Sequence, residues 1–293
     1  MRRERIELIY GSIVAVLIKK YIDFIWWFGF RPEIISKNNN IVVSLTSYGR
    51  RVKDVVPYTI FWLYRQKIKP SRIILWLNKD NWNDDILPKR VKDLIKLGLE
   101  VKYCKDLRSY TKLYYSLKIC DNCPIVTLDD DMLYSSHVIS MLLENYKEHP
   151  NSVSALVCVK PKWESQYCSL TPYHSWRFKS EGIPALSYFA KGFGGVLYPP
   201  KCFDDEVLNE DIFKRLCPLA DDVWFWAMEM YSKRDVSPIP NSLIYYPSDS
   251  FYQYRHKGSA LNHSNVAENE NDKQINAVLT HYKLWEYCPR NNL

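Results

Sequence analysis

Pro124-Ile-Val-Thr-Leu-Asp-Asp-Asp-Met-Leu-Tyr134 opens as an apolar strand and ends in three consecutive carboxylates. Ile125, Val126 and Leu128 have strand character, with Thr127 among them. Asp129, Asp130 and Asp131 arrive where such a strand would surface. In open α/β sheets, ligands bind outside the carboxyl ends of strands. Three adjacent carboxylates repel one another unless a cation or a donor sits among them. Oxygen ligands with no Cys or His nearby suit a hard divalent ion, Mg²⁺ or Mn²⁺. The segment reads as a strand-end metal site or as an acidic turn capping a helix that starts near Ser135. Taken alone, it leaves both open.

Upstream, strand and helix patterns alternate. Ile41–Thr46 reads as strand one and Ser47–Arg51 as the turn leaving it. Val55–Gln66 reads as a helix with Pro57 in its first turn, where proline is tolerated. Arg72–Leu77 is strand two, Leu87–Leu97 a helix stopped by Gly98, Leu99–Tyr103 strand three, and Ser109–Ile119 a helix. Strands separated by helices of this length imply a mostly parallel sheet with right-handed crossovers. Residues 41–131 therefore read as a nucleotide-binding type of half-domain. No GxGxxG or GxxxxGK[ST] occurs, which disfavours NAD enzymes and P-loop kinases.

Downstream, Ser136–His149 reads as a helix and Val153–Val159 as a strand. Residues 160–186 carry little pattern and many aromatics, which suggests a functional loop. In Phe189–Pro200, Gly192, Gly194 and Gly195 allow the backbone to approach a ligand closely, before the strand Val196–Tyr198. Asp221 and Asp222 open a helix running to Tyr231. They read either as dipole-favoured residues of a helix start or as a positioned carboxylate base. Asn269–Gln274 precedes a final helix expected from Ile275 to Trp285.

Residues 1–31 differ from everything after them, and Asn38–Asn40 reads as a linker. Arg2, Arg3 and Arg5 precede an apolar run from Ile6 to Ile18, too short to span a bilayer as a helix and followed by Lys19 and Lys20. Trp26, Trp27 and the basic ends fit a helix lying in a membrane interface; the alternative is a helix packed on the globular domain or a partner chain. Across the 293 residues, 25% are charged and 47% hydrophobic, ordinary for a globular protein. The net charge of +7 suits an anionic partner, and no basic run argues for nucleic acid. Eight cysteines lie mostly in or beside apolar segments, and Cys120-Asp-Asn-Cys123 has no second pair at zinc spacing. No cleavable signal peptide is evident, so the expected compartment is the reducing cytosol.

Ser44-Leu-Thr-Ser-Tyr48, Asp129-Asp-Asp131, Gly194-Gly-Val-Leu-Tyr-Pro-Pro200, Ala220-Asp-Asp-Val-Trp224 and Asn271-Asp-Lys-Gln274 occur in an order that resembles the GT-A glycosyltransferases. More narrowly, the chain is similar to the bacterial glycosyltransferases of cell-surface polysaccharide loci, those of capsule and O-antigen. The resemblance covers about residues 40–280. It implies an α/β GT-A fold, Rossmann-like with a mostly parallel central sheet flanked by helices. The amphipathic N-terminal segment, 1–38, would precede a nucleotide-binding half, 39–131, and an acceptor-binding half, 132–293.

The resemblance also implies roles. Asp129 and Asp131 would hold Mn²⁺ or Mg²⁺ against the donor diphosphate, with Asp130 beside them and His256 or His263 completing the metal shell. Thr46, Ser47, Tyr48 and Arg51 would hold the nucleoside, with Asp106 and Arg108 able to reach it and Lys112 near the phosphates. For the basic residues the alternative is a solvated surface charge. Gly194 and Gly195 would face donor sugar and acceptor. Asp222 would be the base of an inverting transfer, with Asp221 as the fallback. Trp224 and Trp226 would shape the acceptor pocket or belong to the core. The implied enzyme is a hexosyltransferase using a nucleotide-sugar, by default a UDP-sugar. It would act on a glycan or lipid-linked acceptor at the cytoplasmic face of the inner membrane, and oligomerisation is left open. The alternatives are a nucleotidyltransferase acting on sugar phosphates and a non-catalytic carbohydrate-binding protein.

Overall fold

The computed structural model describes residues 2–164, 169–178, 183–240, 245–247 and 269–287. The chain divides into two compact units, Met1–Met141 with Leu243–His256 and Leu142–Ser242 with Lys257–Leu293. The helices are α1(Arg2–Trp27), α2(Arg51–Asp54), α3(Val56–Trp62), α4(Lys89–Lys96), α5(Thr111–Leu117), α6(Val138–Glu148), α7(Glu210–Leu216), α8(Asp221–Tyr231) and α9(Glu270–His281).

In the first unit, β1(Val42–Thr46), β2(Arg72–Asn78), β3(Leu99–Cys104) and β4(Ile125–Thr127) are all parallel, in the order β3-β2-β1-β4. Strands covered on both faces read as continuous apolar runs, and Val42 to Leu45 are all buried. The one polar residue of that run, Ser44, is fully satisfied. It donates to the Lys112 carbonyl at 2.5 Å and accepts from Trp76 Nε1 and Ser116 Oγ. Helix α5 packs on β1 and β4, and α4 packs on β3. The chain leaves β1 toward β2 and β3 on one side, while β4 lies on the other. The topological switch point is therefore outside the carboxyl ends of β1 and β4.

Two local expectations change and one holds. The helix expected over 55–66 is α3 followed by a 3₁₀ turn at Leu63–Arg65, and an additional short helix, α2, precedes it, separated from α3 by Val55 at φ −126°. Gly98 does follow α4, at φ 108°, and a Cβ there would lie 2.5 Å from Ile35 Cδ1, so both backbone and packing require glycine. After the acidic triplet comes a strand, β5(Met132–Tyr134), antiparallel to β14(Tyr245–Pro247), and α6 begins only at Val138.

Helix α1 is one continuous element across Lys19, Lys20 and Asp23. The polar interruptions help dock it. Asp23 accepts from Tyr58 Oη at 2.9 Å and pairs with Arg90 at 2.6 Å, and Lys19 lies 4.7 Å over the Tyr58 ring. Ala15, Ile22 and Trp26 are buried, with Trp26 4.7 Å from Phe61. One face of the helix therefore packs on the globular domain.

In the second unit, β6(Val153–Ala155) pairs in parallel with β13(Val236–Pro238) and antiparallel with β12(Val196–Tyr198). The strand expected over 153–159 is two. After a break at Leu156 and Val157, β7(Cys158–Lys160) joins β10(Arg177–Phe178) and β11(Phe189–Ala190) in an antiparallel sheet. Within the stretch expected to be irregular, β8(Trp163–Glu164) and β9(Ser169–Leu170) form a small antiparallel pair. Helix α9 starts at Glu270 rather than Ile275. Its polar first turns were misread because Asn271 and Gln274 point inward and are buried. Among the described residues Cys104, Cys120, Cys123, Cys158, Cys202 and Cys217 are free thiols.

Candidate functional site

At the switch point of the first unit, the turn after β1 meets the acidic end of β4. Ser47 Oγ donates to Asp130 Oδ2 at 2.5 Å, and Thr59 Oγ1 donates to the Asp130 carbonyl at 2.7 Å. Arg51, on α2, reaches both carboxylates: Nη1 lies 3.2 Å from Asp130 Oδ1, and Nη2 pairs with Asp131. Lys112, on α5, places Nζ 2.5 Å from Asp129 Oδ1. The Asp129 backbone N–H donates to Tyr134 Oη at 2.9 Å. Arg51 and Lys112 are therefore not solvated surface charges; Lys112 is only 7% exposed. Nor is the triplet a helix cap, since β5 follows it.

Burial pushes the Asp130 carboxyl up to about 7, with Arg51 pulling it down, Asp131 pushing it up and the Ser47 hydroxyl pulling it down. Burial lowers Arg51, but Asp130 and Asp131 outweigh it, so the guanidinium is held above its ordinary value. Arg51 bridges Asp130 and Asp131, and Lys112 holds Asp129, so each carboxylate of the triplet meets a cation.

The oxygen-only donor set fits a hard divalent cation. Asp129 and Asp131, with side chains 29% and 13% exposed, offer oxygen donors, while Asp130 at 6% is turned inward. Among the described residues no group of three or more His, Cys, Asp or Glu is placed to hold an ion by itself. A Mg²⁺-type ion needs none, because it is held by one or two carboxylates together with substrate phosphates and water. His256 and His263 lie outside the described residues.

Beside Ser47, which holds Asp130, is a small polar pocket open to solvent. Thr46, Ser47, Tyr48, Asp106 and Thr111 line it with Asn78, Asn81 and Trp82. Four residues assigned to the nucleoside by resemblance thus meet in one place. Asn78, Asn81, Trp82 and Thr111 were missed, although β2 ending beside β1 is the signal that finds Asn78. Arg51 and Lys112 serve the carboxylates instead of lining the cavity. Arg108 is exposed, at φ 55°, its backbone N–H donating to Asp106 Oδ1 at 2.7 Å, and it is absent from the lining.

The second unit holds the other acid pair. Asp221 and Asp222 begin α8 in its first turn. Both Asp222 oxygens accept from the Gly192 backbone N–H, at 3.2 Å each, so the glycine segment and the acid helix form one local structure. A Cβ on Gly194 would lie 2.3 Å from Val157 Cγ2, and Gly195 has φ 100°. The close approach at Gly194 is to Val157.

Lys191 Nζ sits 5.1 Å over the Tyr173 ring and 5.5 Å over Phe178. Burial holds the Lys191 ammonium below its usual value, with Asp222 opposing. Burial raises the Tyr173 phenol, and Asp222, Asp221 and Asp272 raise it further.

The Asn271–Gln274 segment is a clamp. Gln274 Oε1 accepts from the backbone N–H of Leu219 and of Ala220, at 3.0 and 3.1 Å, just ahead of α8. Asp272 Oδ1 accepts from the Tyr173 backbone N–H at 2.8 Å. Trp224 and Trp226 are core. Trp224 donates to the Val207 carbonyl at 3.0 Å, and Trp226 packs on Trp176 and Phe189.

No protein-family model and no curated protein sequence matches the chain. Among solved structures, residues 1–349 of Staphylococcus aureus TarS match at 14% identity and a TM-score of 0.47, over 86% of this chain and 73% of that one. The same TarS fragment in complex with UDP matches at 12% identity and 0.47, over 83% and 72%. A CMP:2-keto-3-deoxy-manno-octonic acid synthetase complexed with CTP matches at 12% and 0.43, over 75% and 98%. At such identities and TM-scores, neither a substrate nor a reaction carries over from shape.

Proposed function

We propose that the chain is a glycosyltransferase moving a sugar from a UDP-sugar to a hydroxyl of a glycan or lipid-linked acceptor, in bacterial surface-polysaccharide synthesis. The observation that carries this reading is the acidic strand end at the switch point beside a polar cavity. Thr46, Ser47, Tyr48 and Asp106 line that cavity, and Arg51 and Lys112 brace the carboxylates. Tyr48 and Trp82 offer aromatic faces to a base, and Asp106 and the asparagines offer acceptors and donors to a ribose.

Asp129 and Asp131 would hold Mn²⁺ or Mg²⁺ with the donor diphosphate. That ion would supply positive charge to a leaving nucleoside diphosphate. Arg51 and Lys112 keep the carboxylates apart from one another and aimed, and thereby set the geometry the ion meets. Asp222 would take the proton of the acceptor hydroxyl while the acceptor oxygen bonds to the anomeric carbon. The bond from that carbon to the diphosphate oxygen breaks on the opposite side, which inverts the anomer. Gly192 N–H orients the Asp222 carboxylate for that step.

A screen of nucleotide-sugars with Mn²⁺ tests the reading. A glycosyltransferase without acceptor slowly releases UDP and free sugar from one donor. Release of pyrophosphate from a nucleoside triphosphate and a sugar 1-phosphate, with no donor hydrolysis, would make it a nucleotidyltransferase.

A further inference from the structure

Helix α1 buries one stripe and exposes another that is equally apolar. Ala15, Ile22 and Trp26 face inward, while Val16, Leu17, Tyr21, Phe24, Trp27 and Phe28 face out. Leu17, Phe24 and Phe28 are 60–64% exposed and Trp27 is 79% exposed. They recur at helical spacing, so they form one continuous face over about three turns. Monomeric soluble proteins rarely leave such a face to water. The helix cannot turn it inward, because Asp23, Trp26 and Lys19 already fix the opposite side to α3 and Arg90. No described helix is long and apolar enough to cross a membrane.

We propose that this outward face of α1 docks on a bilayer surface containing anionic lipid, with the helix lying in the interfacial plane. Three observations favour lipid over a second copy of the chain. The face carries Tyr21 and Trp27, whose rings favour the headgroup level, and Phe24 and Phe28, which suit the acyl boundary below it. Lys20 stands exposed within the stripe, where its stem can lie along apolar surface and its ammonium can reach headgroup phosphates. In a helix pair the same ammonium would be drawn out of water against an apolar face. The sequence adds Arg2, Arg3 and Arg5 ahead of the stripe, and a net charge of +7.

Flotation of the full chain with vesicles tests this independently of any activity. The protein is expected to float with phosphatidylcholine–phosphatidylglycerol vesicles, less with phosphatidylcholine alone, and less in high salt. Phe24→Glu with Trp27→Glu should weaken binding by about tenfold or more at an unchanged melting temperature, since both side chains are exposed. Lys20→Glu should weaken it on the anionic vesicles only. Absence of wild-type flotation at low salt would overturn the proposal. So would a wild-type dimer that the Phe24/Trp27 variant makes monomeric, because a second copy would then cover the face.

Discussion

The two acidic sites solve opposite problems. Asp129–Asp131 are three carboxylates on one strand end, and side chains restrain them: a guanidinium, an ammonium and a hydroxyl. Asp222 is held by a backbone amide, with Lys191 acting on it through its field. Full charges make the first site suited to assembling ions and phosphates. At the second site a backbone N–H fixes the direction of the carboxylate. A site for binding charge and a site for moving a proton should respond differently to the same kind of mutation.

The largest separation is expected from the isosteric amides. Asp222→Asn should lower kcat by about 10²–10⁴-fold and leave UDP affinity intact. Asp131→Asn should instead abolish Mn²⁺-dependent UDP binding. Equal loss of UDP binding in both, seen by calorimetry, would erase the distinction.

Next in size is Arg51→Met, which removes the guanidinium that Asp130 and Asp131 share. Breaking a buried ion pair of this kind costs about 3–5 kcal/mol. Chemical denaturation should report that loss, and added Mn²⁺ should recover part of it.

Gln274→Ala removes the acceptor of two backbone donors ahead of α8, at a cost of about 1–3 kcal/mol. It should lower kcat through misplacement of Asp222 while UDP affinity holds.

The smallest effect is a pH dependence in the second unit. Glu229 is buried, and burial first, then Asp222, raise its pKa well above 4.5. A raised folded-state pKa contributes stability that is fully present below the unfolded value and lost as pH rises toward the folded one. Glu229→Gln should therefore melt close to wild type at pH 4 and above it at pH 8. Parallel melting curves across that range would contradict the buried neutral carboxyl.

The parallel sheet was legible because β1, β2 and β4 are covered on both faces and so appear as apolar runs bounded by turns. The triplet was legible as a strand end for the same reason. Its surroundings were not. Nothing local to Arg51 or Lys112 distinguishes them from surface charges; only strand order brings the β1 turn and α5 to Asp129–Asp131. The Asn271–Gln274 segment was visible as a motif, yet its clamp on Leu219, Ala220 and Tyr173 depends on contacts dozens of residues away. Trp224 and Trp226 are sequence-ambiguous because aromatic rings serve cores and sugar sites alike.

UDP titration followed by melting temperature, with and without Mn²⁺, tests the donor assignment most directly. The expected result is a saturable, Mn²⁺-dependent rise, equivalent to about 2.7 kcal/mol at a hundredfold excess over Kd, that disappears in Asp131→Asn. No rise in the wild type, or an equal rise in Asp131→Asn, would contradict a donor site at the end of β4.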